Sequence, residues 1–259
     1  MNILDQSLRE QIAIATCRAL EPLPVVHAGW EGGSAAFGTI DAYSDIDLNF
    51  IVDDTCSFDS LYVAAEIAFE ALSPVTVSHD VLPGRYYKLA ICEEFLFIDL
   101  CFFRAGERDH PLEIERHGTI RPLFDKGTWL RPKPLDEEAL VIKRERRRRE
   151  LQGWFVQSQS FVRKAMLRGQ QVEALAAFWG YTLKPLAELL RIRYCPARWD
   201  FGGMRYLDRD LPQTVYDEFR ALAFVRDAHD LEAKLATAQA WGVRLLQEPG
   251  PRMSSSPTE

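Results

Sequence analysis

Two aspartates separated by one residue, Asp45 and Asp47, open an apolar run over residues 45–52 (DIDLNFIV), and ten residues before them lies Gly32-Gly33-Ser34. Positions i and i+2 of a strand face the same side, so the two carboxylates stand together and repel. That arrangement is costly unless a cation lies between them. Oxygen ligands suit a hard divalent ion, Mg²⁺ or Mn²⁺, and Mg²⁺ takes one or two carboxylates plus substrate phosphates. The glycine turn offers the complementary half. Its backbone can approach a phosphate closely, its amides can donate to phosphate oxygens, and Ser34 adds a hydroxyl.

The elements around these residues follow from periodicity. Leu4, Leu8, Ile12, Ala15 and Ala19 predict a helix over 3–20, ended by Pro22 and Pro24. Val25 and Val26 start a strand that runs into the glycine-rich segment 29–38. Apolar residues at 58, 61, 62, 65, 68, 69 and 72 predict a helix, stopped by Pro74. Runs 75–82, 85–92 and 95–103, separated by Pro83-Gly84 and Glu93-Glu94, predict antiparallel hairpins. Residues 105–134 are proline-rich and loop-like, with a short strand over 119–123, and a domain boundary falls there. Helices are then expected over 136–168, 170–193, 212–224 and 230–247, with Asp136 as N-cap of the first and Gly169 closing it. The expected division is 1–130, 131–248 and a disordered tail over 249–259.

Gly33-Ser34, the ten-residue spacer and Asp45-Ile46-Asp47 resemble the signature of the nucleotidyltransferase superfamily with the DNA polymerase β-like fold. The departure is Gly32, which stands where that pattern has an apolar residue. The resemblance implies a third carboxylate on a later strand, and Asp99 in Phe97-Ile98-Asp99-Leu100 matches, in phase with Phe95, Phe97, Cys101 and Phe103. A charge there is costly unless paired or metal-bound. Residues 121–127 (RPLFDKG) resemble an Asp-Lys-Gly turn of aminoglycoside and lincosamide nucleotidyltransferases, which also carry a helical C-terminal domain. The implied fold is α+β: a mixed-sheet nucleotidyltransferase domain followed by an all-α helical bundle. A dinucleotide-binding fingerprint is excluded, because the glycines at 29, 32, 33 and 38 do not form GxGxxG, and a Walker A phosphate loop is excluded, because no Gly-Lys-Ser/Thr follows them.

The resemblance implies Mg²⁺ (or Mn²⁺) held by Asp45 and Asp47 on a nucleoside triphosphate, with a second ion shared with Asp99. An acceptor hydroxyl then attacks the α-phosphate and pyrophosphate leaves. Asp99 is alternatively the general base, and Asp80, Glu93 and Glu94 are further candidates for that role. Gly33 and Ser34 are expected to bind nucleotide. ATP is the implied donor and a small molecule the expected acceptor, an aminoglycoside-type antibiotic by charge complementarity or a lincosamide. Nucleotidylation of tRNA or a protein, and a catalytically silent binding module, are the alternatives.

The charge distribution frames these expectations. Residues 1–104 hold 16 acidic and 5 basic side chains, residues 105–259 hold 22 and 26, and the chain is net −7. Such a split argues against wrapping duplex nucleic acid. Lys143 to Glu150 (KRERRRRE) reads as a solvated helix face, with Glu145–Arg149 and Arg146–Glu150 four apart. Residues 191–209, arginine-rich and aromatic between helices, place Lys184 and Arg205 as triphosphate candidates by position alone. His27 is expected to be structural. The five cysteines contain no CxxC, which predicts free thiols in a reducing cytosol. Neither a secretory leader nor a membrane span is expected.

Overall fold

A computed structural model of the protein describes residues 6–41, 43–72, 75–82, 86–91, 96–107, 110–201 and 203–248. The chain divides into two compact units, Met1–Leu135 and Asp136–Glu259. Residues 131–135 stay with the first unit because the Lys133 amide donates to the Leu112 carbonyl at 3.1 Å and Lys133 bridges Glu113.

The first unit runs α1 (Gln6–Leu20), β1 (Val26–Glu31), the short α2 (Gly33–Ala36), β2 (Ile46–Val52), α3 (Phe58–Glu70), β3 (Val75–Leu82), β4 (Tyr86–Ile91), β5 (Leu96–Arg104), α4 (Ile114–His117) and β6 (Arg121–Asp125). The strands form one sheet in the order β3-β4-β5-β2-β1-β6. Only the β2–β5 pairing is parallel, so the sheet is mixed. Alternation then divides its two faces. Ile46, Leu48, Phe50, Val52, Ile98, Leu100 and Phe102 pack with Ile12 and Leu20 of α1 and Phe58, Leu61, Ala65 and Phe69 of α3. Intervening residues supply a smaller second cluster: Trp30, Ile51, Cys101, Phe103 and Leu112. Asp47 and Asp99 share the parity of this second set. They therefore sit on the face with the thinner apolar cover.

The second unit is helical: α5 (Glu137–Leu167), α6 (Gln171–Ala177), a π-turn over Phe178–Leu183, α7 (Lys184–Tyr194), a 3₁₀ turn over Pro196–Arg198, α8 (Leu207–Asp210), α9 (Gln213–Ala223) and α10 (Ala228–Gln247). Asp136 caps α5 by accepting from the Ala139 amide at 2.9 Å. Gly242 of α10 lies against the Phe155 ring of α5, where a Cβ would collide with it. The helix expected over 170–193 is interrupted, and Pro185 supplies the reason. It has no N–H for the Tyr181 carbonyl four residues back. That carbonyl instead accepts from Gln159 Nε2 at 3.1 Å, and the wider turn forms around it.

The basic run on α5 departs only in part from its sequence reading as a solvated face, since Lys143, Arg146, Arg149 and Glu150 are exposed. Arg144 is buried among the stripe Leu140, Leu151, Phe155 and Val162. Arg147 pairs with Glu188 of α7 at 2.7 Å and with Glu150 at 3.0 Å, and Lys143 with Asp200 at 2.7 Å. Arg148 donates to the carbonyls of Leu245, Leu246 and Glu248, closing the end of α10. Three of the eight side chains, Lys143, Arg147 and Arg148, thus join elements of the second unit. No helix among the described residues is long and apolar enough to cross a membrane.

Candidate active site

The chemistry-bearing residues of the first unit meet at the start of β2. In the parallel β2–β5 register Asp47 lies directly beside Asp99, and on the other side the Gly32 amide donates to the Asp47 carbonyl at 2.9 Å. Lys88 of β4 stands in register with Asp99. Asp45 lies one residue ahead of the strand. Gly33 adopts φ +52°, and a Cβ there would collide with the Asp47 carboxylate. Both its backbone conformation and this approach therefore require glycine. Ser34 follows on α2, its Oγ buried and without a hydrogen-bond partner among the described residues. Asp45, Asp47, Asp99, Gly33 and Ser34 thus belong to one locality.

Its electrostatics are dominated by burial and neighbouring negative charge. The Asp47 carboxyl is pushed up to about 6, first by burial and then by the charges of Asp99 and Asp45, with Glu31 adding and Arg9 opposing. The Asp45/Asp47/Asp99 donor set consists of hard carboxylate oxygens. Among the described residues no group of three or more His, Cys, Asp or Glu side chains could hold a metal ion as it stands. Two adjacent carboxylates with a buried hydroxyl and a glycine turn nonetheless fit an ion that takes one or two carboxylates and fills its remaining positions from substrate.

A second set of residues was not anticipated from sequence. Arg9 of α1 is buried and donates through Nη1 to the carbonyls of Ser44 at 3.0 Å and Asp45 at 2.7 Å, and through Nη2 to Glu31 Oε1. Glu31, 1% exposed, also accepts from Arg121 Nη1 at 3.2 Å. A signal was available: Arg9 falls on the buried helical stripe of Ile12, Thr16 and Leu20.

Other candidates fall elsewhere. The Asp125-Lys126-Gly127 turn lies at the opposite end of β1, where Ala28 pairs with Asp125 and the Lys126 amide donates to the His27 carbonyl at 2.9 Å. Burial alone would raise Asp125, but amide donors from Gly127, Leu130 and Trp129, aided by Arg131, hold it below the usual carboxylate range. His27 stacks on Trp129 with ring centroids 4.7 Å apart and contacts Asp53 at 2.7 Å, a structural arrangement. Asp80 lies on β3 in register with Tyr87, while Glu93, Glu94 and Cys92 fall outside the described residues, as does the tail 249–259. Cys17, Cys56, Cys101 and Cys195 are free thiols, and burial pushes Cys17 up to about 11.

Lys184 and Arg205 both belong to the second unit. Lys184 lines a cavity of about 430 Å³ together with Lys143, Arg146, Arg147, Trp199 and Phe201. Lys184 and Arg146 have no ion pair among the described residues. Arg205 is not part of that lining. Its guanidinium lies over the Tyr206 ring, 5.0 Å from the centroid, and donates to the Tyr206 hydroxyl at 2.8 Å.

No family model and no curated protein matches the sequence. Among solved structures the chain is similar to an aminoglycoside 6-adenyltransferase from Bacillus subtilis, at 14% identity over 93% of this chain and 89% of that one, with a TM-score of 0.37. It is also similar to a STING-associated CdnE c-di-GMP synthase from Capnocytophaga granulosa, at 14% identity over 94% and 83%, TM-score 0.32. A CdnE cyclic dinucleotide synthase from Elizabethkingia meningoseptica, solved with GTP and Apcpp, is similar at 12% identity over 94% and 93%, TM-score 0.32.

Proposed function

We propose that the protein is a divalent-metal-dependent nucleotidyltransferase, moving a nucleoside monophosphate from a triphosphate to a hydroxyl of a small molecule with release of pyrophosphate. The observation that carries this reading is the juxtaposition of Asp47 with Asp99 across β2–β5, against the Gly33 turn. A protein without a cationic ligand has no use for carboxylates that repel one another on a strand start. ATP is the donor and an aminoglycoside-type antibiotic the acceptor in this proposal, following the motif resemblance and the acidic balance of residues 1–104.

Each side chain has a role. Asp45 and Asp47 would hold Mg²⁺ or Mn²⁺. Such an ion, when bound, neutralises phosphate charge and favours ionisation of the attacking hydroxyl. Gly33 lets a phosphate approach the backbone, and the Ser34 hydroxyl donates to a phosphate oxygen. Asp99 accepts the proton of the attacking hydroxyl as that oxygen bonds to the α-phosphorus and the bond to pyrophosphate breaks. Lys184 and Arg205 are assigned to the triphosphate.

Pyrophosphate release measured with ATP, GTP, CTP and UTP, Mg²⁺ and an aminoglycoside and lincosamide panel tests the proposal. Activity with one donor and one acceptor class is expected, falling at least about 10³-fold in Asp45→Asn or Asp47→Asn with the fold retained. Full activity in either variant would sink it.

A further inference from the structure

One buried guanidinium joins the two limbs of the candidate site. The carboxylate limb enters β2 through Ser44 and Asp45, and Arg9 Nη1 holds both of their carbonyls, at 3.0 and 2.7 Å. The turn limb leaves β1 through Glu31 into Gly32-Gly33, and Arg9 Nη2 holds the Glu31 carboxylate. Glu31 is anchored in the sheet by its pairing with Leu48, and on its other oxygen by Arg121. A single side chain from α1 therefore spans the point where the two limbs diverge.

Such a buried pair contributes through the backbone it fixes more than through its own charge attraction. Taking a guanidinium and a carboxylate out of water is costly, and apolar side chains of similar volume are often as stable in such a place. Arg9 Nε is in addition buried with no hydrogen-bond partner among the described residues. What the guanidinium offers is a planar fork that fixes two carbonyls and one carboxylate at the same time, which the point charge of lysine cannot reproduce.

We propose that Arg9, anchored by Glu31, is a positioning residue that sets the Asp45–Asp47 segment against the Gly33-Ser34 turn so that the carboxylates can take a divalent cation. The inference rests on the metal-dependent reading of the site above. Outer partners that orient metal ligands typically change metal affinity by about 10–100-fold when removed. Arg9 acts here through the backbone that carries the ligands.

The test is Mn²⁺ binding to the full chain, read by the electron paramagnetic resonance of free Mn²⁺, alongside thermal unfolding. Arg9→Lys retains the charge and is expected to weaken Mn²⁺ about 10-fold, Arg9→Gln about 30-fold or more. Arg121→Gln removes a Glu31 contact but no contact to Ser44 or Asp45, and is expected to leave Mn²⁺ affinity within 2-fold. Glu31→Gln should fall between Arg121→Gln and Arg9→Gln. Arg9→Lys serves where Arg9→Gln fails to fold. Folded Arg9 variants that melt earlier yet bind Mn²⁺ within 2-fold of the parent would overturn the inference and leave the proposed function standing. A parent chain that binds no Mn²⁺ and releases no pyrophosphate would overturn both.

Discussion

Each unit contains a buried arginine that holds a loop by its carbonyls, and their surroundings differ in one respect. In the second unit Arg191 donates to the carbonyls of Phe201, Gly203 and Arg205 and pairs with Asp210 at 2.8 Å. Asp210 is in turn met by Arg198 at 3.5 Å. In the first unit Arg9 does the same for Ser44 and Asp45, with Glu31 as its acid. The Asp210 cluster has its charge met from within the protein. Among the described residues Asp47, by contrast, feels the negative charges of Asp99, Asp45 and Glu31, opposed by the positive charge of Arg9. One loop clamp is an internally balanced piece of architecture. The other sits beside an acidic excess that a bound cation would relieve, which distinguishes a binding locality from a folding device using the same chemistry.

The sharpest way to break this contrast is to neutralise one acid in each region and compare the signs. Asp210→Asn leaves the buried Arg191 without its counter-charge, and should destabilise the protein by about 3 kcal/mol or more. Asp47→Asn removes one member of a repelling set, and in metal-free protein at pH 8 should instead raise stability by about 1 kcal/mol. Chemical denaturation of both variants in the presence of a chelator checks this. Destabilisation of similar size in the two would mean that Asp47 is balanced like Asp210, and the contrast would fail.

Acidity offers a second handle on the same excess. A carboxyl pushed up to about 6 in the folded chain, against an ordinary value of 3.8, binds more protons folded than unfolded between those limits. Stability from this group is therefore fully present below about pH 4 and is lost as pH rises through about 6, with an upper bound of about 3 kcal/mol. The difference in stability between the parent and Asp47→Asn, without metal, should shift by up to that amount across this window. Saturating Mg²⁺ should reduce the shift, because a cation favours the ionised form. A difference that is flat from pH 4 to pH 7 would mean that Asp47 is ionised throughout.

The carboxylate pattern and its turn were legible because both are local. A DxD at a strand start and a glycine pair need only a dozen residues of context, and the α+β order follows from the change of period near residue 135. Long-range pairing was not legible. Nothing in the spacing says that β2 lies parallel to β5 with Asp47 beside Asp99, since that register is set by the shared core of Phe50, Phe102 and α3. The charged residues that turned out to be buried were missed for a related reason. Arg144 read as part of a solvated face by residue type and Arg9 drew no reading, although each falls on the buried stripe of its helix. At Arg144 charge type outweighed position, whereas the fold gave each a partner or a packing role. The π-turn shows the same limit: Pro185 was visible, but the Gln159 side chain that takes the freed carbonyl comes from another helix.

The smallest expected effect lies in the second unit and asks whether its balance is complete. Around Arg191 the wall of the cavity pairs Lys143 with Asp200 and Arg147 with Glu188, yet Lys184 and Arg146 line it without an ion pair among the described residues. An exposed ammonium with no internal acid to satisfy is available to a phosphate, whereas the Arg205 guanidinium is partly occupied by the Tyr206 ring and hydroxyl. Under the proposed function, Lys184→Ala should raise KM for the nucleotide about 10-fold with kcat little changed, a loss of about 1.4 kcal/mol of binding. Arg205→Ala should raise it about 3-fold, because freeing the guanidinium from Tyr206 offsets part of what it gives a phosphate. Steady-state kinetics at fixed acceptor separates the two. An effect confined to kcat would mean that Lys184 acts on the chemical step and not on nucleotide binding. No effect in either variant would mean that Lys184 and Arg205 take no part in nucleotide recognition.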